Sequence, residues 1–93
     1  MPEVHVPGAR SHKLMLYALS TCVWCQKTRK LLEELGLEFN YLYVDLATGD
    51  ERREAMQKVA RWNPSTSFPT LVIDDTSAIV GYKEEQIREA VRQ

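Results

Sequence analysis

Leu14-Met15-Leu16-Tyr17-Ala18-Leu19-Ser20-Thr21-Cys22-Val23-Trp24-Cys25 passes from an apolar run, through two hydroxyl residues, into the only two cysteines of the chain. The run from 13 to 19 is continuously apolar after Lys13, which suits a strand covered on both faces, as central parallel strands are. Ser20 and Thr21 are good residues for starting a helix. The segment that follows, 23–35, spaces Val23, Leu31, Leu32 and Leu35 among Lys27, Arg29, Lys30, Glu33 and Glu34, so it reads as a helix with one wet and one buried face. Gly36 supplies its stop.

Outward from this junction the elements follow in order. Residues 38–46 alternate Phe39, Tyr41, Tyr43 and Asp45 against Asn40, Leu42, Val44 and Leu46, and their aromatic and branched content favours a second strand. Thr48-Gly49-Asp50 opens a second helix with Ala55, Met56, Val59, Ala60 and Trp62 as its stripe, and Asn63-Pro64 stops it. Residues 68–73 form a third strand, a turn at 74–77 leads to a fourth around Ala78-Ile79-Val80, and the two pair as a hairpin. A last helix runs over 83–92 with Ile87, Ala90 and Val91 inward. The order β-α-β-α-β-β-α is α/β, and right-handed crossovers set its first two strands side by side and parallel. Residues 1–12, with two prolines, a glycine and no sustained period, are expected to form a flexible arm before a single domain of residues 13–93.

Composition narrows the function classes. The 93 residues, 44% hydrophobic and 27% charged, match an ordinary globular domain with one modest core. Twelve basic and 13 acidic residues leave a net charge of −1, which offers no footprint for nucleic acid. No run approaches the ~20 apolar residues of a membrane span, and the start lacks a secretory pattern, so no membrane partner and a cytoplasmic location are expected. Thiols are kept reduced in that compartment, so two adjacent cysteines are expected to be catalytic or metal-binding rather than a permanent staple.

The spacing has chemical consequences. At a helix start, unpaired N–H groups and aligned peptide dipoles favour an anion by roughly 0.3–2 kcal/mol. Cys22 falls at the first turn and Cys25 three residues on, which places both sulfurs on one side and within bridging distance. Cys22 is therefore the better nucleophile and Cys25 the resolving thiol in thiol–disulfide exchange. Two other readings stand beside this one. Zinc would have to enlist His5 and His12 from the arm, and a buried inert pair would simply pack as small apolar residues. Lys27, Arg29 and Lys30 read first as a solvated face. Phe68-Pro69 opens a strand where a proline cannot donate to the ladder, so the peptide is either cis or a trans bond ending a loop.

With Cys22-Val23-Trp24-Cys25 after the first strand, Phe68-Pro69-Thr70 opening the third and Gly81-Tyr82 after the fourth, the chain resembles the glutaredoxin branch of the thioredoxin superfamily over residues 13–93. The resemblance implies a thioredoxin fold with a four-stranded mixed sheet flanked by three helices. It implies Cys22 as nucleophile, Cys25 as resolving thiol, and a cis Pro69 packed against them. It also implies that the Phe68 backbone pairs with bound peptide or glutathione, with Trp24, Thr70, Gly81 and Tyr82 bordering the substrate.

Glutathione-using members carry a lysine where this chain has Leu19, and Gly-Gly followed by Ser/Asp-Asp where it has Gly81-Tyr82-Lys83-Glu84. Each missing charge-assisted hydrogen bond weakens glutathione binding by about 1.5–3 kcal/mol. The expectation is a monomeric dithiol oxidoreductase without a tightly bound cofactor, acting on protein disulfides or mixed disulfides. A thioredoxin reductase, another thiol reductase, or glutathione as co-substrate would recharge it. The alternative within the resemblance is an iron–sulfur cluster carrier.

Overall fold

Apolar alternation and helix stops divide residues 3–92, the part of the chain that the computed structural model describes, into nine elements. These are β1 (Glu3–Val6), β2 (Leu14–Ala18), α1 (Val23–Glu34), β3 (Phe39–Tyr43), a 3-10 turn (Val44–Leu46), α2 (Gly49–Trp62), β4 (Thr70–Ile73), β5 (Ser77–Val80) and α3 (Glu84–Ala90). One sheet holds all the strands in the order β1-β3-β2-β4-β5. β2 and β3 are parallel across the α1 crossover, with Leu16 opposite Tyr41. β4 pairs antiparallel with both β2 and β5. The parallel first pair and the closing hairpin both agree with the sequence reading.

Period-two alternation sorts the core into two layers. Leu14, Leu16, Ala18, Phe39, Tyr41, Leu71 and Ile73 face α1 and α3, where Cys25, Leu31, Leu32, Ile87 and Val91 meet them. Tyr17, Leu42 and Val72 face the other way, onto Ala55 and Val59 of α2. Each fully buried large apolar side chain contributes roughly 1.5–3 kcal/mol, so these two layers hold the sheet between helices. α1 ends as its composition predicts. Gly36 takes φ +70°, its N–H reaches Glu33 O at 3.0 Å, and Leu37 N–H reaches Leu32 O at 3.3 Å. This paired arrangement satisfies the last helical carbonyls.

Three expectations need correction. The sheet has five strands rather than four, because residues of the expected arm form β1, antiparallel to β3 with Glu3 opposite Leu42 and Val6 opposite Phe39. β1 is an almost wholly exposed edge strand, so its stability comes from backbone pairing and surface side chains, which leave no long apolar signature. Glu3 accepts from Asn40 at 2.6 Å, and Glu38 meets both His5 and Arg10. Met1 and Pro2 of that segment, and Gln93 at the other end, lie outside the described residues.

The strand expected over 38–46 stops at Tyr43. There the chain turns so that Val44 is buried against the α2 layer while Leu46 is exposed. β4 begins at Thr70 rather than Phe68, since Pro69 has no N–H to give the ladder. The last helix spans Glu84–Ala90 within the expected 83–92.

Candidate active site

The end of β2, the start of α1, the loop before β4 and the residues after β5 converge on the two cysteines. Cys22 is the N-cap of α1, with extended backbone, and its Sγ accepts the Cys25 N–H at 3.1 Å. The sequence placed Cys22 in the first turn and left capping to Ser20 or Thr21. Sulfur has displaced the hydroxyls from that place, so one of the unpaired donors of the helix start points at the Cys22 sulfur itself. Cys22 is half-buried, whereas Cys25 is 1% exposed, and both are free thiols. Burial, and then a hydrogen bond with Cys22, push the Cys25 thiol up to about 12. Cys25 therefore keeps its proton at neutral pH.

Phe68-Pro69 is a cis peptide. Pro69 is fully buried, and Phe68 is packed on the same cluster as Cys22, Cys25 and Tyr82. The Gly81 N–H bonds Pro69 O at 2.8 Å, and Gly81 takes φ +88°, a conformation that favours glycine. Trp24 is 56% exposed, stacks on Tyr82 with centroids 5.9 Å apart, and carries Lys27 Nζ 5.0 Å from its ring. Cys22, Cys25, Trp24, Phe68, Pro69, Gly81 and Tyr82 are thus brought together.

Thr70 is not among the surface groups. It is fully buried, and its hydroxyl donates to Ser67 O at 2.9 Å and accepts from Asn63 Nδ2 at 3.2 Å. Arg29 is also engaged elsewhere, donating to Tyr43 Oη at 3.0 Å and lying 4.4 Å from the Tyr41 ring.

Two supporting residues escaped the sequence reading. Asn63, read there only as a helix stop, is buried and donates from Nδ2 to Ser67 O and Ser67 Oγ, both at 3.0 Å, while accepting the Ser65 N–H at 3.2 Å. It shapes the loop that delivers Phe68 and Pro69. Its signal was an asparagine before a proline at a helix end. Asp45, read as an ordinary strand residue, accepts from Ser20 N at 2.9 Å and Ser20 Oγ at 2.5 Å. No local pattern announces a contact between residues 20 and 45.

The histidines of the zinc reading are spent elsewhere, His5 on Glu38 and His12 on Asp74. Among the described residues no cluster of three His, Cys, Asp or Glu side chains could hold a metal, and no helix is long and apolar enough to cross a membrane. A concavity of about 670 Å³ lies around His12, Lys13, Met15, Lys58 and Trp62. None of the cysteine-site residues lines it.

Known proteins resemble this chain in sequence and in fold. The glutaredoxin family profile matches residues 14–78. A probable glutaredoxin of Synechocystis sp. is 43% identical over 68 residues, 72% of each chain. The crystal structure of a glutaredoxin from Methanosarcina mazei Go1 superposes with a TM-score of 0.93 at 52% identity, covering 100% of this chain and 90% of that one. The crystal structure of methanoredoxin from Methanosarcina acetivorans gives a TM-score of 0.90 at 52% identity, over 92% and 90% of the two chains.

Proposed function

Since the chain belongs to the glutaredoxin family, we propose that it is a monomeric cytoplasmic dithiol oxidoreductase that reduces protein disulfides through Cys22 and Cys25. The observation that carries this is the asymmetry of the pair. Cys22 is partly exposed and its sulfur accepts a backbone N–H at 3.1 Å, while Cys25 is buried and protonated. The Cys22 thiolate attacks one sulfur of the substrate disulfide, forming a mixed disulfide and releasing the other sulfur as a thiolate. Cys25 gives up its proton to a departing thiolate and attacks Cys22 sulfur, which expels the second substrate sulfur. Two electrons have moved to the substrate, and the protein is left as the Cys22–Cys25 disulfide.

Recharging takes two electrons from a thiol reductase of the thioredoxin reductase kind. Support for that donor over glutathione comes from the side chains around the sulfurs. Leu19 offers no cation, and the Glu84 carboxylate is already bonded to Arg88 at 2.8 Å and Tyr82 Oη at 3.3 Å. The remaining surface is Val23, Trp24 and Tyr82, of which Val23 and Trp24 are large exposed hydrophobics between the two cysteines. Such a surface suits a protein partner whose extended segment pairs beside Phe68. No tightly bound cofactor is needed, and glutathione serves at most as a weak co-substrate.

The test is a pair of serine variants. Cys22→Ser is expected to abolish disulfide reduction, and Cys25→Ser to accumulate a mixed disulfide on Cys22 visible by mass spectrometry. Retained turnover in Cys22→Ser overturns the scheme. Comparing turnover with a thioredoxin reductase and with glutathione plus its reductase decides the donor. A coloured dimer on anaerobic purification would favour a cluster carrier instead.

A further inference from the structure

We infer that Asp45 is a positioning residue for Cys22, acting through Ser20 to hold the turn that presents the sulfur at the helix cap. The inference rests on the dithiol reading above. Three contacts converge on Ser20, which lies two residues before the nucleophile. Asp45 Oδ1 accepts its N–H at 2.9 Å, Asp45 Oδ2 accepts its Oγ–H at 2.5 Å, and Gln26 Nε2 donates to its carbonyl at 3.1 Å. The turn is closed by Cys22 N–H on Leu19 O at 3.2 Å, and the first helical turn by Gln26 N–H on Cys22 O at 3.1 Å. Residues 19–21 are therefore strung between the end of β3 and the head of α1. Cys22 reaches its capping geometry only while that turn is held.

Two features set Asp45 apart from a surface carboxylate. The chain breaks β3 to bring it there, turning at Val44–Leu46 although residues 38–46 keep the alternation of a strand. The two hydrogen bonds from Ser20 also hold its carboxyl below the usual range, with Arg52 adding a smaller effect, so it stays an anion through the neutral range. An anion accepting two donors makes the stronger, shorter class of hydrogen bond. Beyond the clamp, burial is the main cause of the raised Cys25 thiol, and the Asp45 charge adds to it. The same residue thus bears on Cys22 through Ser20 and on Cys25 through its charge.

The experiment measures the second-order rate of Cys22 alkylation by iodoacetamide in the full chain, alongside circular dichroism and thermal melting. Cys25 is buried, so the rate reports Cys22. Losing a hydrogen bond to a charged group is worth roughly ten- to a hundredfold in an equilibrium, so Asp45→Ala, which removes two, is expected to slow Cys22 by about tenfold or more. Asp45→Asn keeps an acceptor for the Ser20 N–H and is expected to recover most of the rate, which a generic loss of stability would not produce. Ser20→Ala, which removes only the hydroxyl bond, is expected to fall between, and it decides the matter if Asp45→Ala does not fold. Wild-type rates in Ser20→Ala and Asp45→Ala overturn the inference, as does an Asp45→Asn chain as slow as Asp45→Ala. Retained disulfide turnover in Cys22→Ser would overturn the dithiol reading while leaving these alkylation rates interpretable.

Discussion

Burial decides what each thiol does. Cys22 caps α1 and is partly exposed, whereas Cys25 one turn later is closed off in the core layer that also holds Leu16, Leu32 and Phe39. Alkylation at neutral pH is expected to label one thiol per folded chain, Cys22, and both after denaturation, as counted by mass spectrometry. The proton on Cys25 has a consequence for stability. Its folded value, raised from 9.0 to about 12, means that the folded state holds the proton more tightly than the unfolded state does. That contribution is complete below pH 9.0 and is lost as pH rises toward 12. Denaturant midpoints of the wild type should therefore fall relative to Cys25→Ala between those limits, and an unchanged difference would contradict the assignment.

Among the elements, β1 is the one whose cause is least visible in its own residues. It is attached to β3 by a ladder and by the connection at Ala9, whose N–H bonds Gly36 O at 2.7 Å and whose carbonyl accepts Glu38 N–H at 2.9 Å. Gly8 makes that approach feasible. A side-chain carbon there would lie 2.5 Å from the Leu37 carbonyl carbon and 2.7 Å from Gly36 O, both backbone atoms that cannot step aside. Gly8→Ala is expected to cost about 1–3 kcal/mol, as overpacking does. The loss should appear as a lower melting temperature and faster hydrogen exchange at the β3 amides. Disulfide turnover should stay unchanged, because β1 lies at the far side of β3 from β4 and its cis proline. The turn between β4 and β5 shows the same economy, with Asp74 and Asp75 both at positive φ, a conformation that aspartate tolerates better than most residues.

For the molecule as a whole, residues distant in sequence tie the two ends of the chain to the hairpin. His12 Nδ1 meets Asp74 Oδ2 at 2.7 Å, His12 Nε2 lies 3.4 Å from Arg92 O, and Asp74 Oδ1 also accepts the Lys13 N–H at 2.7 Å. The His12 value is raised chiefly by its bond to Asp74, and that of Asp74 is lowered chiefly by its bond to His12. The His12 contribution is complete below the ordinary 6.5 and fades as pH rises through the raised value. The Asp74 contribution is complete above the ordinary 3.8 and fades as pH falls through the lowered one. The clamp is therefore strongest between those two ordinary values. His12→Ala should remove the fall in melting temperature on the alkaline side of that window, and a fall that persists in the variant would assign it to other groups.

Periodicity and punctuation made most of the framework legible: the apolar run before Ser20, the stripe ended by Gly36, the hairpin around residues 74–76, and the Cys-x-x-Cys at a strand-to-helix junction. These depend on neighbours within a turn or two, so the amino-acid order alone determines them. Tertiary structure decided the rest, namely sulfur as the cap of α1, Asp45 holding Ser20, Asn63 shaping the proline loop, and an exposed fifth strand. Each of these is a polar or edge contact between residues brought together only by folding, and such contacts impose no period on the sequence that makes them.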